Sequence, residues 1–317
     1  MLTPGFLAAT SLVIAMLGAP PSATQESLVV PSSTPLRADI GAAIRARQWE
    51  RAERLLAEEI DRSRSRELLI LVARIFLLDN KPLNAAVALK KAEAIAPLDP
   101  DLRFTLALAY VRLGRRDWAR PELERLAQSD ESSAEYRYWI GRLDYDDGKY
   151  SDAISRFTEA LARDPGMMRA HDNLGLCYEA LDQADRAIAH YREALRLNRQ
   201  ASTKSPWPPT NLGILLRQRG EMEESASLFR EALEYDDDFA KAHYELGVLL
   251  DQRDRMDEAL GELRRAASID ASYAEPHYVL ARIYRRQGRT TLADESLTTF
   301  LRVRALRDQG QRVSGQR

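Results

Sequence analysis

The chain holds one cysteine, Cys177, in 317 residues. A single thiol makes no intrachain disulfide and no thiolate metal cage. Neither sign of charge is in excess: 46 basic against 48 acidic residues leave a net charge of −2. Acids and bases are interspersed, so the electrostatic footprint of a nucleic-acid binder is missing and no nucleic-acid partner is expected. Aromatic residues are scarce at 7 %. Ala, Leu, Arg and Glu dominate instead, a bias that suits helices. No Walker-type glycine loop and no Gly-x-Ser-x-Gly elbow occurs, which removes the commonest signatures of nucleotide and acyl-transfer chemistry.

A run long enough to span a bilayer is also lacking. The apolar stretch from Phe6 to Ala19 covers 14 residues, short of the roughly 20 that a membrane helix needs. Its length fits the apolar part of an export signal. No Lys or Arg precedes it, and a cut after Ala23 or Ala19 leaves Pro21 or Leu17 three residues from the break. Residues 1–23 are read as a signal peptide or a short N-terminal hydrophobic segment. Residues 24–36, rich in Pro, Ser and Thr, are read as a flexible linker. The expectation is a bacterial, periplasmic or secreted chain with no stable membrane span after cleavage. A cytoplasmic location, with a mis-assigned start or an uncleaved anchor, is the alternative.

What the chain has in abundance is internal repetition. Aligning the segments that begin at Leu174, Leu212 and Leu246 sets a 34-residue frame, with copies at 33–65, 66–99, 100–133, 134–167, 168–201, 206–239, 240–273 and 274–307. The first copy is one residue short, and one four-residue insertion, Ser202 to Ser205, interrupts the frame. The eighth position carries small residues: Ala73, Ala107, Gly141, Gly175, Gly213, Gly247 and Ala281. The twentieth carries Ala52, Ala85, Ala119, Ala153, Ala187, Ser225, Ala259 and Ala293, where the second helix of a pair crosses the first. Large residues such as Leu174 and Leu212 stand at the seventh position, and Phe157, Tyr191 and Phe229 at the twenty-fourth. Alternating large and small side chains lets two helices interdigitate at close range. The fifteenth position holds Asn80, Gly114, Gly148, Asp182, Gly220, Asp254 and Gly288, the residue types that tolerate the left-handed conformation ending a helix.

This pattern resembles the tetratricopeptide repeat: the Leu-Gly pair, the aromatic residue three places later, the Ala, the large apolar residue and the exit Pro. The copy 168–201 shows it through Leu174, Gly175, Tyr178, Ala187, Tyr191 and Ala194, with exit prolines at Pro97 and Pro165 in other copies. The resemblance covers about 33–307 and implies an all-α, right-handed α-solenoid of about eight helix–turn–helix repeats. Departures lie at the ends. The first copy has Arg47 at its turn and Glu59 where Ala is usual, and the last has Phe300 at that place. Residues 308–317 are read as a disordered tail.

Candidate chemistry is thin. His171, His243 and His277 share the fourth position of their repeats. Equivalent positions in stacked repeats are about 10 Å apart and cannot converge on one ion at about 2 Å. The segment Asp144 to Gly148 only glances at a calcium loop, since its twelfth residue is Ser155, not Glu. Neither a metal, a cofactor nor catalytic residues are expected, and the chain is read as not an enzyme.

The resemblance implies instead that side chains at five positions of each first helix face a concave groove and bind a protein or peptide. Carried over, the partner-binding set is Arg74, Phe104, Arg112, Tyr138, Arg142, Tyr145, Trp207, Arg217, Tyr244, Tyr278 and Arg282, with Asp172, Asp251 and Arg285 also on that face. Arg and aromatic side chains are the types that dominate binding hot spots. A chaperone-tail clamp is not expected: Asn173 fits one clamp position, but Leu176, Phe104 and Leu108 stand where Asn and Lys are required. Trp207, beside the insertion, is read either as a ligand contact or as a packed cap. Two functions remain open, an interaction scaffold and an accessory subunit of a cell-envelope or sugar-processing enzyme complex.

Overall fold

The computed structural model describes residues 35–63 and 65–315. These residues form sixteen helices and no strand. They fall into two compact units, one ending at Pro165 and one beginning at Gly166. The N-terminal hydrophobic segment and nearly all of the expected linker lie outside the described residues.

The first unit contains α1 (Pro35–Arg45), α2 (Trp49–Ser63), α3 (Arg66–Leu78), α4 (Pro82–Ile95), α5 (Pro100–Arg112), α6 (Arg116–Ser129), α7 (Ala134–Asp146) and α8 (Tyr150–Leu161). The second contains α9 (Met168–Ala180), α10 (Ala184–Gln200), α11 (Trp207–Gln218), α12 (Met222–Tyr235), α13 (Ala240–Gln252), α14 (Met256–Ile269), α15 (Glu275–Arg286) and α16 (Thr290–Gly315). Within each unit every odd-numbered helix packs on the even-numbered helix that follows it, and each hairpin packs on the next. In the second unit the first helices also touch one another, α11 on α13 and α13 on α15.

One turn is used eight times. Arg47, Asn80, Gly114, Gly148, Asp182, Gly220, Asp254 and Gly288 all have positive φ, between 53° and 84°. At each, the next residue's N–H bonds a carbonyl five residues back, as Arg115 does to Tyr110 at 2.9 Å and Arg255 to Leu250 at 2.9 Å. The turn residue's own N–H bonds the carbonyl three residues back, as Gly114 does to Val111 at 3.0 Å, so two carbonyls that a helix end otherwise leaves open are satisfied. Arg47 adopts it without the Gly, Asn or Asp found at the other seven turns, a strain of about 1–2 kcal/mol. Helix starts are capped where side chains allow: Asp99 accepts from the Leu102 amide at 2.9 Å, and Ser65 and Ser133 do the same for Leu68 and Tyr136.

The recurring small residues sit at the helix crossings. All eight residues at the twentieth position, Ala52 through Ala293, are fully buried. Ser225, the exception in chemistry, donates its hydroxyl to the Gly213 carbonyl at 2.7 Å and so leaves nothing unsatisfied. The eighth-position glycines lie directly beneath the large residue sixteen places on. A Cβ added to Gly141 would come 2.9 Å from Phe157, at Gly213 2.7 Å from Phe229, and at Gly247 2.7 Å from Leu263. At Gly175 it would enter the Tyr191 ring itself.

Two boundaries differ from expectation. Helix α1 already begins at Pro35, inside the segment read as linker, because proline is at ease at a first helical position. Helix α16 continues to Gly315, through most of the stretch read as a disordered tail. No proline follows Arg307, and once a helix is nucleated each further residue adds a hydrogen bond at little cost. The insertion is tied down by one side chain. The Asn198 amide donates to the Ser205 carbonyl and accepts from the Ser205 N–H, both at 2.8 Å.

Candidate interaction face

The residues read as partner contacts occupy the first helices of both units, but their surroundings differ. In the first unit several are core. Phe104 is buried and meets Tyr136 edge-on at 5.2 Å. Tyr138 is 2 % exposed and packs against Trp139 and Phe157 at 5.5 and 5.6 Å. Arg142 is 5 % exposed, pairs with Asp146 one turn on at 3.0 Å, and lies over the Tyr145 ring. These three are therefore corrected from contact surface to packing: their rings and stem fill the space that helix crossings leave. Asp172 in the second unit is likewise buried, accepting from Asn211 at 3.0 and 3.1 Å. Arg74, Arg112 and Tyr145 are half-buried. Arg112 donates to the Leu77 carbonyl, and burial draws its guanidinium pKa down.

In the second unit the same positions build a polar array. Helix α11 supplies Arg217, α13 supplies Lys241, Tyr244, Glu245 and Asp251, and α15 supplies Glu275, Tyr278 and Arg282. Glu245, 3 % exposed, is the hub. It takes Arg217 at 2.9 Å and Lys241 at 2.8 Å. A carboxylate so deeply buried is tolerated because two cations sit on it. Tyr244 lies against Tyr273 at 5.1 Å with Lys241 over its ring. Burial first, then the Glu245 and Glu275 carboxylates, push the Tyr244 hydroxyl up to about 12. The same causes push Tyr273 well above its ordinary value. Both phenols stay protonated donors at any physiological pH. Burial raises the Glu179 carboxyl, against the Tyr191 hydroxyl that donates to it at 2.9 Å.

Toward the end of the unit the face opens. Asp251, 3 % exposed at its side chain, is gripped by Arg282 and by Arg286 at 2.6 Å, and Arg286 also reaches Asp254. Tyr278 tilts against Phe300 at 5.4 Å and remains 51 % exposed. Trp207 is half-buried, edge-on to Phe239 at 4.8 Å, a packed side chain beside the insertion.

The structure thus gathers Arg217, Tyr244 and Arg282 from the sequence-derived set, leaves Tyr278 open beside them, makes Asp251 the anchor of Arg282, and adds Glu245 and Arg286 to the array. Glu245 had a signal in the sequence. At its repeat position the other copies from 66 onward carry Leu71, Thr105, Trp139, Asn173, Asn211 and Val279, none of them charged.

Two of the fourth-position histidines meet a second helix. His243 meets Glu262 at 2.6 Å, and Arg103 meets Glu122 at the matching positions at 2.6 Å. His171 instead meets His190, ring nitrogen to ring nitrogen at 3.2 Å, with Tyr178 stacked on His190. Among the described residues no group of three or more His, Cys, Asp or Glu is placed to hold a metal ion. No described helix is long and apolar enough to cross a membrane.

Comparison with known proteins gives a consistent picture. A family model described as tetratricopeptide repeat matches residues 140–202 and 210–274, and a second such model matches 76–143. U-box domain-containing protein 70 of Oryza sativa subsp. japonica is 30 % identical over 121 residues, which is 33 % of this chain and 15 % of that protein. The chain therefore spans about a seventh of that relative's length. Among solved structures, a tetratricopeptide repeat protein from Parabacteroides merdae superposes with a TM-score of 0.58 at 17 % identity, covering 76 % of this chain and 94 % of that one. The hetero-tetramer Cut9–Hcn1 gives 0.57 at 19 % identity over 80 % and 49 %. The protein pilF of Pseudomonas aeruginosa gives 0.56 at 21 % identity over 70 % and 99 %. At these identities the likeness is one of fold.

Proposed function

Because the chain belongs to the tetratricopeptide-repeat family, we propose that it is a non-catalytic scaffold holding a peptide or protein on the face of its first helices, chiefly α11, α13 and α15. The supporting observation is the array around Glu245 and Asp251. Two buried carboxylates hold Arg217, Lys241, Arg282 and Arg286 in fixed places, while Tyr244 stays half-buried and Tyr278 exposed. Side chains already ordered by neighbours lose little entropy on binding. Arg and Tyr also supply large contact area with donors at its edge.

We further propose that the scaffold works in the periplasm or outside the cell, on the apolar run from Phe6 to Ala19. Fractionation of host cells tests this, and recovery in the cytoplasmic fraction overturns it.

A photo-crosslinking residue at Tyr244, in the full chain in its native host, tests the binding reading. Capture of a defined protein at Tyr244, and not at Leu83 on the outer face of α4, is the expected result. Equal capture at both places removes the proposal. An enzyme of the cell envelope or of sugar processing as the captured protein makes this chain that enzyme's accessory subunit.

A further inference from the structure

The net charge of −2 hides an uneven distribution. From Ala240 to Tyr273 there are five basic and seven acidic residues, whereas from Ala274 to Arg307 seven arginines stand against three carboxylates, with no lysine. Four of those arginines belong to α15 and the turn after it, and three of them, with Tyr278, line one face. Tyr278, Arg282, Arg285 and Arg286 are spaced by one and two helical turns.

The ion pairs offset this charge only in part: Arg286 also meets the exposed Asp254 at 2.6 Å, while Arg282 and Arg285 keep most of their donors free. Asp251 is 3 % exposed, and its two partners, Arg282 and Arg286, are 48 % and 40 % exposed. The carboxylate faces inward and the guanidinium edges face out. Arg285 is 65 % exposed and reaches Asp294 only at 3.4 Å. A guanidinium has five N–H donors, so one bond to Asp251 leaves Arg282 most of its fork for an incoming group. The buried carboxylate aligns the fork without screening its outer edge. Beside it an exposed tyrosine ring offers apolar area. An anion alone does not need that ring, and an apolar segment alone does not need three guanidiniums.

We propose that Tyr278, Arg282, Arg285 and Arg286 form a docking site for an acidic polypeptide segment, one that places Glu or Asp carboxylates on the guanidiniums and an adjacent apolar side chain on Tyr278. This deepens the scaffold reading above and rests on it. Charge complementarity selects the occupant: paired, planar acceptors match a guanidinium fork.

The test uses the full chain and three fluorescein-labelled peptides, one alternating Glu with Phe, one with Gln in place of Glu and one with Lys in place of Glu. A single-stranded oligonucleotide is the fourth probe. Fluorescence anisotropy is followed from about 0.05 M to about 0.5 M salt. The Glu peptide is expected to bind, to weaken as salt rises, and to bind more tightly than the other three. Arg282→Ala with Arg285→Ala should weaken it at least about tenfold. Arg230→Ala, an exposed arginine on α12, should leave it unchanged. Arg282→Glu with Arg285→Glu should transfer the preference to the Lys peptide, which also shows that the variant is folded. Equal binding of the Gln peptide, tighter binding of the oligonucleotide, no effect of the alanine pair, or no binding of any probe overturns the acidic-segment site. The crosslinking experiment separates the two claims. If a partner is captured at Tyr244 while the Glu peptide fails, the scaffold stands and this site falls.

Discussion

Helices α7 and α15 carry the same pair of residues at the same repeat positions, a tyrosine followed four places later by an arginine. In α7 the pair is Tyr138 and Arg142, 2 % and 5 % exposed. In α15 it is Tyr278, 51 % exposed, and Arg282, 48 % exposed at its side chain. The difference lies in the neighbours. Tyr138 has Trp139 and Phe157 against it, and Arg142 is matched by Asp146 on its own helix. Tyr278 leans on Phe300, and Arg282 reaches sideways to a buried carboxylate on the preceding first helix. The repeat position fixes which way a residue points. The size and charge of the side chains around it decide whether it becomes core or contact surface.

The largest expected effect comes from emptying the closed version of the pair. Tyr138→Ala should cost about 3–5 kcal/mol of stability in denaturant unfolding, as for other large buried aromatics. A loss below about 1 kcal/mol would mean that the ring is not core. Next comes the contrast between filled and open glycines. Gly175→Leu must displace the Tyr191 ring and should cost about 1–3 kcal/mol, whereas Gly261, with nothing within 4 Å of an added Cβ, lies inside α14. Gly261→Ala should raise stability by roughly 0.5–1 kcal/mol. Opposite signs in thermal melts sharpen the comparison, and the same sign breaks it.

The histidines extend it to pH. Burial and the neighbouring His171 lower the His190 pKa from its ordinary 6.5. The unfolded chain then takes up the proton more readily, so this contribution is present above 6.5 and lost as pH falls through the lowered value. For His243, burial opposes protonation, but the Glu262 carboxylate and the Asp237 carbonyl outweigh it and raise the pKa. That contribution is complete below 6.5 and lost as pH rises through the raised value. Melting temperatures across this range should therefore respond oppositely to His190→Gln and His243→Gln, and parallel responses would contradict the two environments. The smallest effect is expected at the open pair. Tyr278→Ala should change stability by no more than about 0.5 kcal/mol, checked by the same denaturant titration as Tyr138→Ala.

Much of the fold was legible because the residues that matter are nearly irreplaceable there. Only small side chains pass a helix crossing such as Gly175 under Tyr191, and seven of the eight left-handed turns use Gly, Asn or Asp. Arg47 shows the limit of that reading, since its geometry is dictated by the hairpin and not by its own preference. The candidate face was legible by direction only. The family resemblance put Phe104, Tyr138 and Arg142 in one set with Arg217, Tyr244 and Arg282, and a repeat position carries no information on how tightly the neighbours close over them. The role of Asp251 as a buried anchor for two arginines depends on which oxygen meets which fork across two helices, and spacing along the chain does not encode that.

The two-way bond between the Asn198 amide and the Ser205 backbone works as a staple across a detour. Whatever the chain does between those two residues, the helices on either side enter and leave at the same points. Residues 201–204 are exposed, so a fluorophore, an affinity tag or a small foreign domain spliced in at Thr203 should leave both flanking helices in phase, which makes this loop a convenient handle for labelling the molecule in the middle of its length.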